Sequence, residues 1–368
     1  MIGLAVGWRA LDHGLSVVIV DRGAPGQETS RVAAGMIAPV SEASPSEPEL
    51  LALGQASAAL YPRFVDRLQY TAGFDVGYRA YGTLFVARDD DERGVLEREL
   101  AFRRQLGLPV RRLLASEARA IEPALAPTLR LALSIEDDHA IDPRALTGAL
   151  LAAFERAGGE VLTGAAAASV SIAGDRVAGV ELAGGTALRT EQVVIAAGPW
   201  SGDGFGLPEE AQVPLRPVKG QILALRDPAG PGMLEHVLRM QPGYLVPRGD
   251  GRYVLGATLE ERGFDQSATA GAVFELLRDA TELVPGVSEW VIDELMVGTR
   301  PGTPDNLPIL GPSPMLGGLH WATGHHRHGI MLTPLTADLI VAGLTNQALP
   351  ELAAPVAPGR FNRETVSV

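Results

Sequence analysis

The chain has 368 residues, a net charge of −13 and no cysteine. This length predicts about two domains, and the apolar content of 46% is typical of a globular protein. The acidic charge argues against nucleic acid or an anionic membrane as a partner, and no apolar run reaches the roughly 18 residues of a membrane span. Without cysteine, the chain has no disulfide, thiolate metal site, cysteine nucleophile or cysteine-linked flavin.

The start of the chain has the pattern of the second half of a dinucleotide-binding βαβ unit. Gly3 begins an apolar segment of helical period, Gly14 forms a turn, and an apolar strand over 17–20 leads to Asp21. In the motif G-x-G-x-x-G, the third glycine lets the helix pack closely on the strand, and an acid about 20 residues later binds the ribose. Gly3 and Asp21 fit these positions. The small residues over 23–39 would let backbone approach a flat ligand, although a plain linker has the same composition.

Further elements are predicted along the chain from caps and periodicity. Ser46 and Glu49 have capping-box spacing and predict a helix start, and Asp142 followed by Pro143 predicts another. The other predicted elements are strands over 83–88, 160–162, 167–172, 177–182 and 193–197, helices over 89–107 and 270–284, and a strand, turn and helix after residue 319. Between 214 and 300, the segments GQILAL, GYLVPR and RYVLGAT predict an antiparallel sheet with one exposed face.

Gly198 and Trp200 follow the apolar strand over 193–197. Ligands of open α/β sheets bind outside the carboxyl ends of the strands. We therefore expect a cofactor at this edge.

Six segments, in this order, resemble the D-amino-acid oxidase family of FAD-dependent enzymes, and in particular its glycine oxidase branch. They are IGL with VVIVDR, ETSRVAAGMIAP, VVIAAGPWSG, GYLVPR, GTRPGTPDNLPILG and ATGHHRHGIMLTP, and they extend over nearly the whole chain. The resemblance implies an α/β fold with an α+β substrate part. A Rossmann-type FAD-binding domain, formed by 1–75, 136–213 and 301–368, would be interleaved with an antiparallel-sheet substrate-binding domain, formed by 76–135 and 214–300.

The resemblance also implies the binding residues. Non-covalent FAD would be bound by Gly3, Asp21, Arg22, Thr29, Ser30, Arg31, Ala33, Ala34, Gly35, Met36, Ala167, Ala197, Gly198, Trp200, His325, Arg327, His328, Gly329, Ile330 and Met331. Substrate would be bound by Tyr244, Arg300 and Arg327. The sequence itself adds Met36 as a flexible wall of the substrate pocket, although a methionine more often fills a gap in the core. A guanidinium such as that of Arg300 can meet a carboxylate with two parallel hydrogen bonds. From the residues alone, an ion pair for Arg300 and strand packing for Tyr244 stay open.

The family's activity is the oxidation of glycine, sarcosine or small D-amino acids by hydride transfer to the flavin. Dioxygen would be the acceptor, an imine and hydrogen peroxide the products, and thiamine thiazole synthesis the destination. If the amine enters neutral, such a site needs placement more than acid–base groups. Two alternatives stay open: a D-amino-acid or proline dehydrogenase with another electron acceptor, and a cofactor-free remnant acting as a binding protein. We expect a homo-oligomer in the cytoplasm.

The start of the chain departs from the family pattern. Met1 stands two residues before Gly3, at the place of a valine that follows G-G-G in the family. The family's first strand and first two glycines are outside the printed sequence. We expect FAD binding to depend on them.

The histidines of the run HHRH at 325–328 suggest a metal site. No carboxylate lies near them in sequence, and the spacing H-E-x-x-H does not occur. We therefore expect no metal and assign the run to the loop before a helix.

Overall fold

The computed structural model describes residues 1–361. Its helices are α1 (Ile2–Asp12), α2 (Pro48–Ala72), α3 (Asp90–Gln105), α4 (Ala115–Ile121), α5 (Pro143–Arg156), α6 (Ala270–Leu283) and α7 (Thr333–Leu344). Its strands are β1 (Val18–Asp21), β2 (Met36–Ile37), β3 (Thr83–Ala87), β4 (Arg111–Leu114), β5 (Leu131–Ile135), β6 (His139–Ala140), β7 (Glu160–Thr163), β8 (Ala167–Ala173), β9 (Arg176–Leu182), β10 (Ala187–Arg189), β11 (Val193–Ile195), β12 (Arg216–Arg226), β13 (Val237–Arg239), β14 (Tyr244–Pro247), β15 (Arg252–Gly256), β16 (Val291–Gly302), β17 (Ile309–Pro312) and β18 (Leu319–Thr323). In this part of the chain, no helix is long and apolar enough to cross a membrane.

An eight-stranded sheet, in the order β16-β12-β15-β14-β13-β3-β5-β4, forms one part of the molecule. Its pairs are antiparallel, as predicted for the segment after 214, except that β13 and β3 are parallel. The expectation of one exposed face is wrong for β12, β14 and β15, which are buried over 218–223, 245–247 and 253–256. Successive side chains point to opposite faces of a strand. Leu223 packs in a core cluster with residues of α6, and Ile222 packs in another with Ala34.

Smaller sheets and four helices form the other part. β1 pairs in parallel with β7, β9 lies between β8 and β10, and β18 lies between β11 and β17. Helices α1, α2, α5 and α7 pack on one another around a core that includes Trp8, Leu53, Phe154 and Ile340. This arrangement has the predicted α/β class.

The division into two discontinuous domains stays a prediction. The strands of the eight-stranded sheet come from 83–135 and 216–302. Of the segment 301–368 that we assign to FAD binding, residues 362–368 lie outside the described part.

Local signals predict most helix starts but not all. The Asp142 carboxylate accepts hydrogen bonds from the backbone N–H groups of Arg144 and Ala145, at 2.9 and 3.3 Å, and so caps α5 as predicted. The capping box of Ser46 is wrong. Glu47 is the N-cap of α2, because Pro48 occupies the first helical position, and the Ser46 hydroxyl lies 2.8 Å from that of Ser44 instead.

Several strands differ from expectation, and β4, β5 and β13 are among those that the sequence pattern does not predict. β11 ends at Ile195 rather than at 197, and Val193 and Val194, which line a cavity, are half-buried. The twelve-residue edge strand β16 has no clean alternation of polar and apolar residues and was not predicted.

Candidate cofactor and substrate site

A cavity of about 1290 Å³ is lined by residues of both parts of the molecule. Its volume exceeds the 300–1,000 Å³ of an ordinary small-ligand pocket. Of the predicted site residues, the cavity is lined by Gly3, Asp21, Arg22, Thr29, Ser30, Ala33, Ala34, Gly35, Met36, Ala167, Ala197, Gly198, Trp200, Tyr244, Arg300, His325, Arg327, His328, Gly329, Ile330 and Met331. Arg31 is outside this lining, and its guanidinium bonds to Glu294 at 3.1 Å.

One end of the cavity has the features of a dinucleotide site. Asp21 ends β1, and its Oδ1 accepts a hydrogen bond from the N–H of Gly23 at 2.9 Å. Gly3 lies in the first turn of α1, where unpaired backbone N–H groups and the helix dipole favour an anion. Ala167 begins β8 on another wall. This end can bind ribose hydroxyls and phosphate oxygens.

The loop over 23–39 lies along the cavity and is held by contacts with other segments. The Thr29 hydroxyl donates to the carbonyl of Thr299 on β16, at 2.7 Å. Gly35 has φ +86°, and a Cβ there would lie 1.9 Å from the carbonyl oxygen of Ile141. A side chain at 35 would therefore push the loop away from α5, so this position requires glycine.

The loop over 325–332 forms a wall of the cavity and leads into α7. The hydroxyls of Tyr61 and Ser57 on α2 donate to the carbonyls of Ile330 and Met331. His325 is buried, its Nε2 lies 2.9 Å from the Thr336 hydroxyl, and burial lowers the pKa of its imidazole to about 3. This loop is held by side chains of α2 and α7, and local sequence patterns do not predict these contacts.

A carboxylate that sequence reasoning missed lies in the same cavity. The Glu42 carboxylate is 3.0 Å from Nε of Arg327 and 3.2 Å from Nη1 of Arg239. Arg327 also donates to Glu47 at 2.6 Å. Burial raises the pKa of Glu42, but Arg239, His328 and Arg327 lower it more strongly, to about 2. The one available signal was the position of Glu42, six residues after Met36.

The turn that carries Glu42 is held by two buried charged side chains. The two carboxylate oxygens of the buried Asp138 accept hydrogen bonds from the N–H groups of Val40 and Ser41, both at 3.0 Å. The buried guanidinium of Arg103 donates to the carbonyls of the same two residues, at 2.9 and 2.7 Å. Burial raises the pKa of Asp138 to about 6, against these hydrogen bonds. Glu42 is therefore a fixed charge.

Arg300 differs from Arg327 and Arg239 in its partners. Its Nη1 donates to the carbonyls of Lys219 and Thr258, both at 3.3 Å, and no carboxylate among residues 1–361 pairs with it. Its guanidinium lies against Gly220, where a Cβ would be 2.2 Å from Nη1. Tyr244 is beside it, and burial raises the pKa of that phenol although Arg300 opposes the shift. Arg300 and Tyr244 can together donate hydrogen bonds to an anion.

The residues present fit FAD. The cavity is large enough for a dinucleotide beside a small substrate, and it combines a helix N-terminus, an acid after a strand and a glycine that lets backbone approach. Within 1–361, the buried Nε2 of His328 has no protein partner and faces the same space.

Comparisons with known proteins agree with this geometry. The family model "FAD dependent oxidoreductase", DAO, matches residues 1–342. A glycine oxidase from Geobacillus kaustophilus is 35% identical over 99% of this chain and 94% of its own. A bifunctional protein ThiO/ThiG from Synechocystis is 32% identical over 98% of this chain and 52% of its own.

Solved structures give the same result. The crystal structure of glycine oxidase from Geobacillus kaustophilus superposes with a TM-score of 0.91 and 32% identity, over 98% of this chain and 96% of that chain. The predicted resemblance, fold class and FAD dependence are confirmed, while the roles of individual residues stay predictions. The chain belongs to the DAO family of FAD-dependent oxidoreductases and is an enzyme of the amino-acid oxidase type.

Proposed function

We propose that the protein oxidises a small amino acid, with glycine and sarcosine as its best substrates, dioxygen as acceptor, and an imine and hydrogen peroxide as products. The observation that carries this proposal is the guanidinium of Arg300. It faces a cavity lined by the proposed FAD-binding residues and has only two backbone carbonyls as hydrogen-bond partners within 1–361.

An unpaired guanidinium in such a cavity favours an anionic ligand. Arg327 and Arg239 are neutralised by Glu42 and Glu47, whereas Arg300 pairs with no carboxylate of residues 1–361 and is available to a substrate carboxylate. A bidentate contact would fix both the position and the plane of that carboxylate. Tyr244, whose pKa is raised, stays a phenol at neutral pH and can donate a third hydrogen bond. Arg327 would then line the substrate pocket, where its ion pair with Glu42 holds it in place.

FAD, when bound, supplies the acceptor for the hydride that leaves the substrate Cα. Asp21 would hold the ribose, the first turn of α1 the phosphates, and the loops over 29–36 and 325–331 the ring system. Trp200 would close one side of the cavity: Arg22 stacks on its ring at 4.0 Å, and Phe264 stacks on it at 5.5 Å between centroids. These residues orient the two reactants and exclude water, which are the main contributions required here.

Substrate size and chirality follow from this arrangement. A pocket with a carboxylate anchor and an apolar wall, including Met36, discriminates by about 1–3 kcal/mol per methylene. D-Alanine should therefore react more slowly than glycine, while L-alanine, whose Cα hydrogen would point away from the acceptor, should be inert. Two electrons and two hydrogens leave the amino acid as it becomes an imine, and they reduce dioxygen to hydrogen peroxide.

The ThiO/ThiG relative supports supply of the imine to thiamine thiazole synthesis as part of this proposal. A homo-oligomer in the cytoplasm belongs to the proposal as well. Light scattering on the purified protein tests the oligomeric state directly.

Peroxide release by the flavin-loaded enzyme tests the reaction. We expect release with glycine and sarcosine, slower release with D-alanine and none with L-alanine. Reduction of an artificial dye without peroxide would assign a dehydrogenase instead. Faster turnover of D-proline than of glycine would contradict the proposed substrate preference.

A further inference from the structure

His326 is a buried residue of the cavity that has no role in the proposed reaction so far. Its side chain is 8% exposed, and neither ring nitrogen has a hydrogen-bond partner within residues 1–361. Its backbone has φ +47°, a region that non-glycine residues rarely occupy. Unpaired buried polar atoms and unusual backbone conformations concentrate at functional sites.

His326 shares its cavity with the proposed carboxylate anchor. His326 lines the same cavity as Arg300 and Tyr244. The groups that lower the pKa of its ring most, after burial, are Arg327 and His328 from its own loop, Arg300 from β16 and Arg216 from β12. Within residues 1–361, no carboxylate lies at ion-pair distance from His326, whereas Nδ1 of His328 lies 3.8 Å from the Glu42 carboxylate.

Oxidation of an amino acid requires a group that accepts a proton from the substrate nitrogen. An amino acid is an ammonium carboxylate at neutral pH, and its nitrogen must lose a proton before the lone pair can assist departure of the hydride. Arg300 cannot accept that proton, and the phenol of Tyr244 is already protonated. A neutral imidazole has one ring nitrogen with a free lone pair.

We propose that His326 accepts the proton of the substrate ammonium when the substrate carboxylate binds Arg300. The inference rests on the proposed function. An N–H bond of the ammonium breaks, its electron pair stays on the substrate nitrogen, and the proton forms an N–H bond on the free ring nitrogen of His326. No oxidant or further reactant takes part in this step.

Substrate binding itself would raise the pKa of the His326 imidazole. Burial, then Arg327, Arg300, His328 and Arg216, lower its pKa to about 3, so the ring is neutral when the site is free. A carboxylate on Arg300 offsets one of these positive charges and raises the pKa of the ring. The base therefore becomes stronger only when a substrate is present.

The test follows anaerobic flavin reduction by glycine in the holoenzyme between pH 6 and pH 9, for the wild type, His326→Asn and His326→Phe. Asparagine tolerates positive φ and keeps a hydrogen-bond acceptor, whereas phenylalanine keeps the ring shape. The matched control is His320→Gln: His320 is also buried with an unpaired Nδ1, but it lies on β18 outside the cavity lining.

We expect the second-order reduction constant of the wild type and of the control to change less than about threefold over this range. Both His326 variants should lose about tenfold per pH unit below the amine pKa, which is about 8 or higher, because they use only the neutral amine. They should keep FAD, the visible spectrum and the dissociation constant of acetate, which has no amine.

Parallel pH profiles in the wild type and the variants would overturn the role of His326. So would an altered flavin spectrum in His326→Phe with an unchanged profile, which would place the ring against the cofactor. Absence of flavin bleaching in the wild type with every amino acid would overturn the proposed function, and the role of His326 with it.

Discussion

At the scale of single residues, the position of Arg300 depends on the lack of a side chain at Gly220. Arg300 can lie flat over β12 because residue 220 has no side chain, and a Cβ there would be 2.2 Å from Nη1 and 2.6 Å from Cζ. The guanidinium is the far end of a flexible side chain, so it would move before the strand does. Gly220 is therefore a positioning residue.

We expect Gly220→Ala to raise the KM for glycine by about 10-fold or more, since small displacements of a binding group have large effects. The fold and the FAD content should not change. Steady-state kinetics and the flavin absorbance of the same preparation measure both. Gly271→Ala on α6 is the matched control, because a Cβ there meets nothing within 4 Å. Equal KM values in the two variants would contradict the role of Gly220.

At the scale of elements, the segment over 258–269 forms a flap attached to β12 and β16. The fully buried Nζ of Lys219 on β12 donates to Asp265 at 2.6 Å, and the side-chain amide of Gln266 donates to the Thr299 hydroxyl on β16 at 2.8 Å. Phe264, from the same flap, stacks on Trp200. The Lys219 ammonium holds the pKa of Asp265 well below its usual range.

We expect Asp265→Asn to leave Lys219 without its nearest counter-charge and to loosen the flap. Hydrogen exchange of the amides over 258–269 should become about 10-fold faster, because local opening of this segment becomes more frequent. Amides of α5 serve as the internal control. Unchanged exchange over 258–269 would contradict the role of Asp265 and show that the remaining contacts, among them the backbone pairing of Glu260 with Lys219, suffice to hold the flap.

The same scale shows what a sequence can and cannot predict. Asp142 with Pro143 predicts the start of α5 because a cap acts within a few residues, and Asp89 predicts that of α3 for the same reason. Ser46 fails because a proline two residues later competes for the first turn. β16 is not predicted because the strand has no single alternation of polar and apolar residues. Its half towards Gly302 is covered by other segments, and its half towards Val291 is exposed.

At the scale of the whole molecule, the site is an assembly of distant segments. Ordered family motifs identify the loops that line the cavity, and the structure brings all of their predicted residues except Arg31 to one space. Glu42, Arg239 and His326 escape sequence reasoning because their roles come from contacts between residues up to 285 positions apart. Hydrophobic periodicity and capping motifs depend on neighbouring residues and do not indicate such contacts.

The central claim is that this space holds an amino acid by its carboxylate, at Arg300. The most direct test compares the KM for glycine of the flavin-loaded wild type with that of Arg300→Ala. Loss of a charge-assisted bidentate contact should cost about 2–5 kcal/mol, which corresponds to an increase of about 30-fold or more, at equal FAD content. An unchanged KM for glycine in Arg300→Ala would contradict the account.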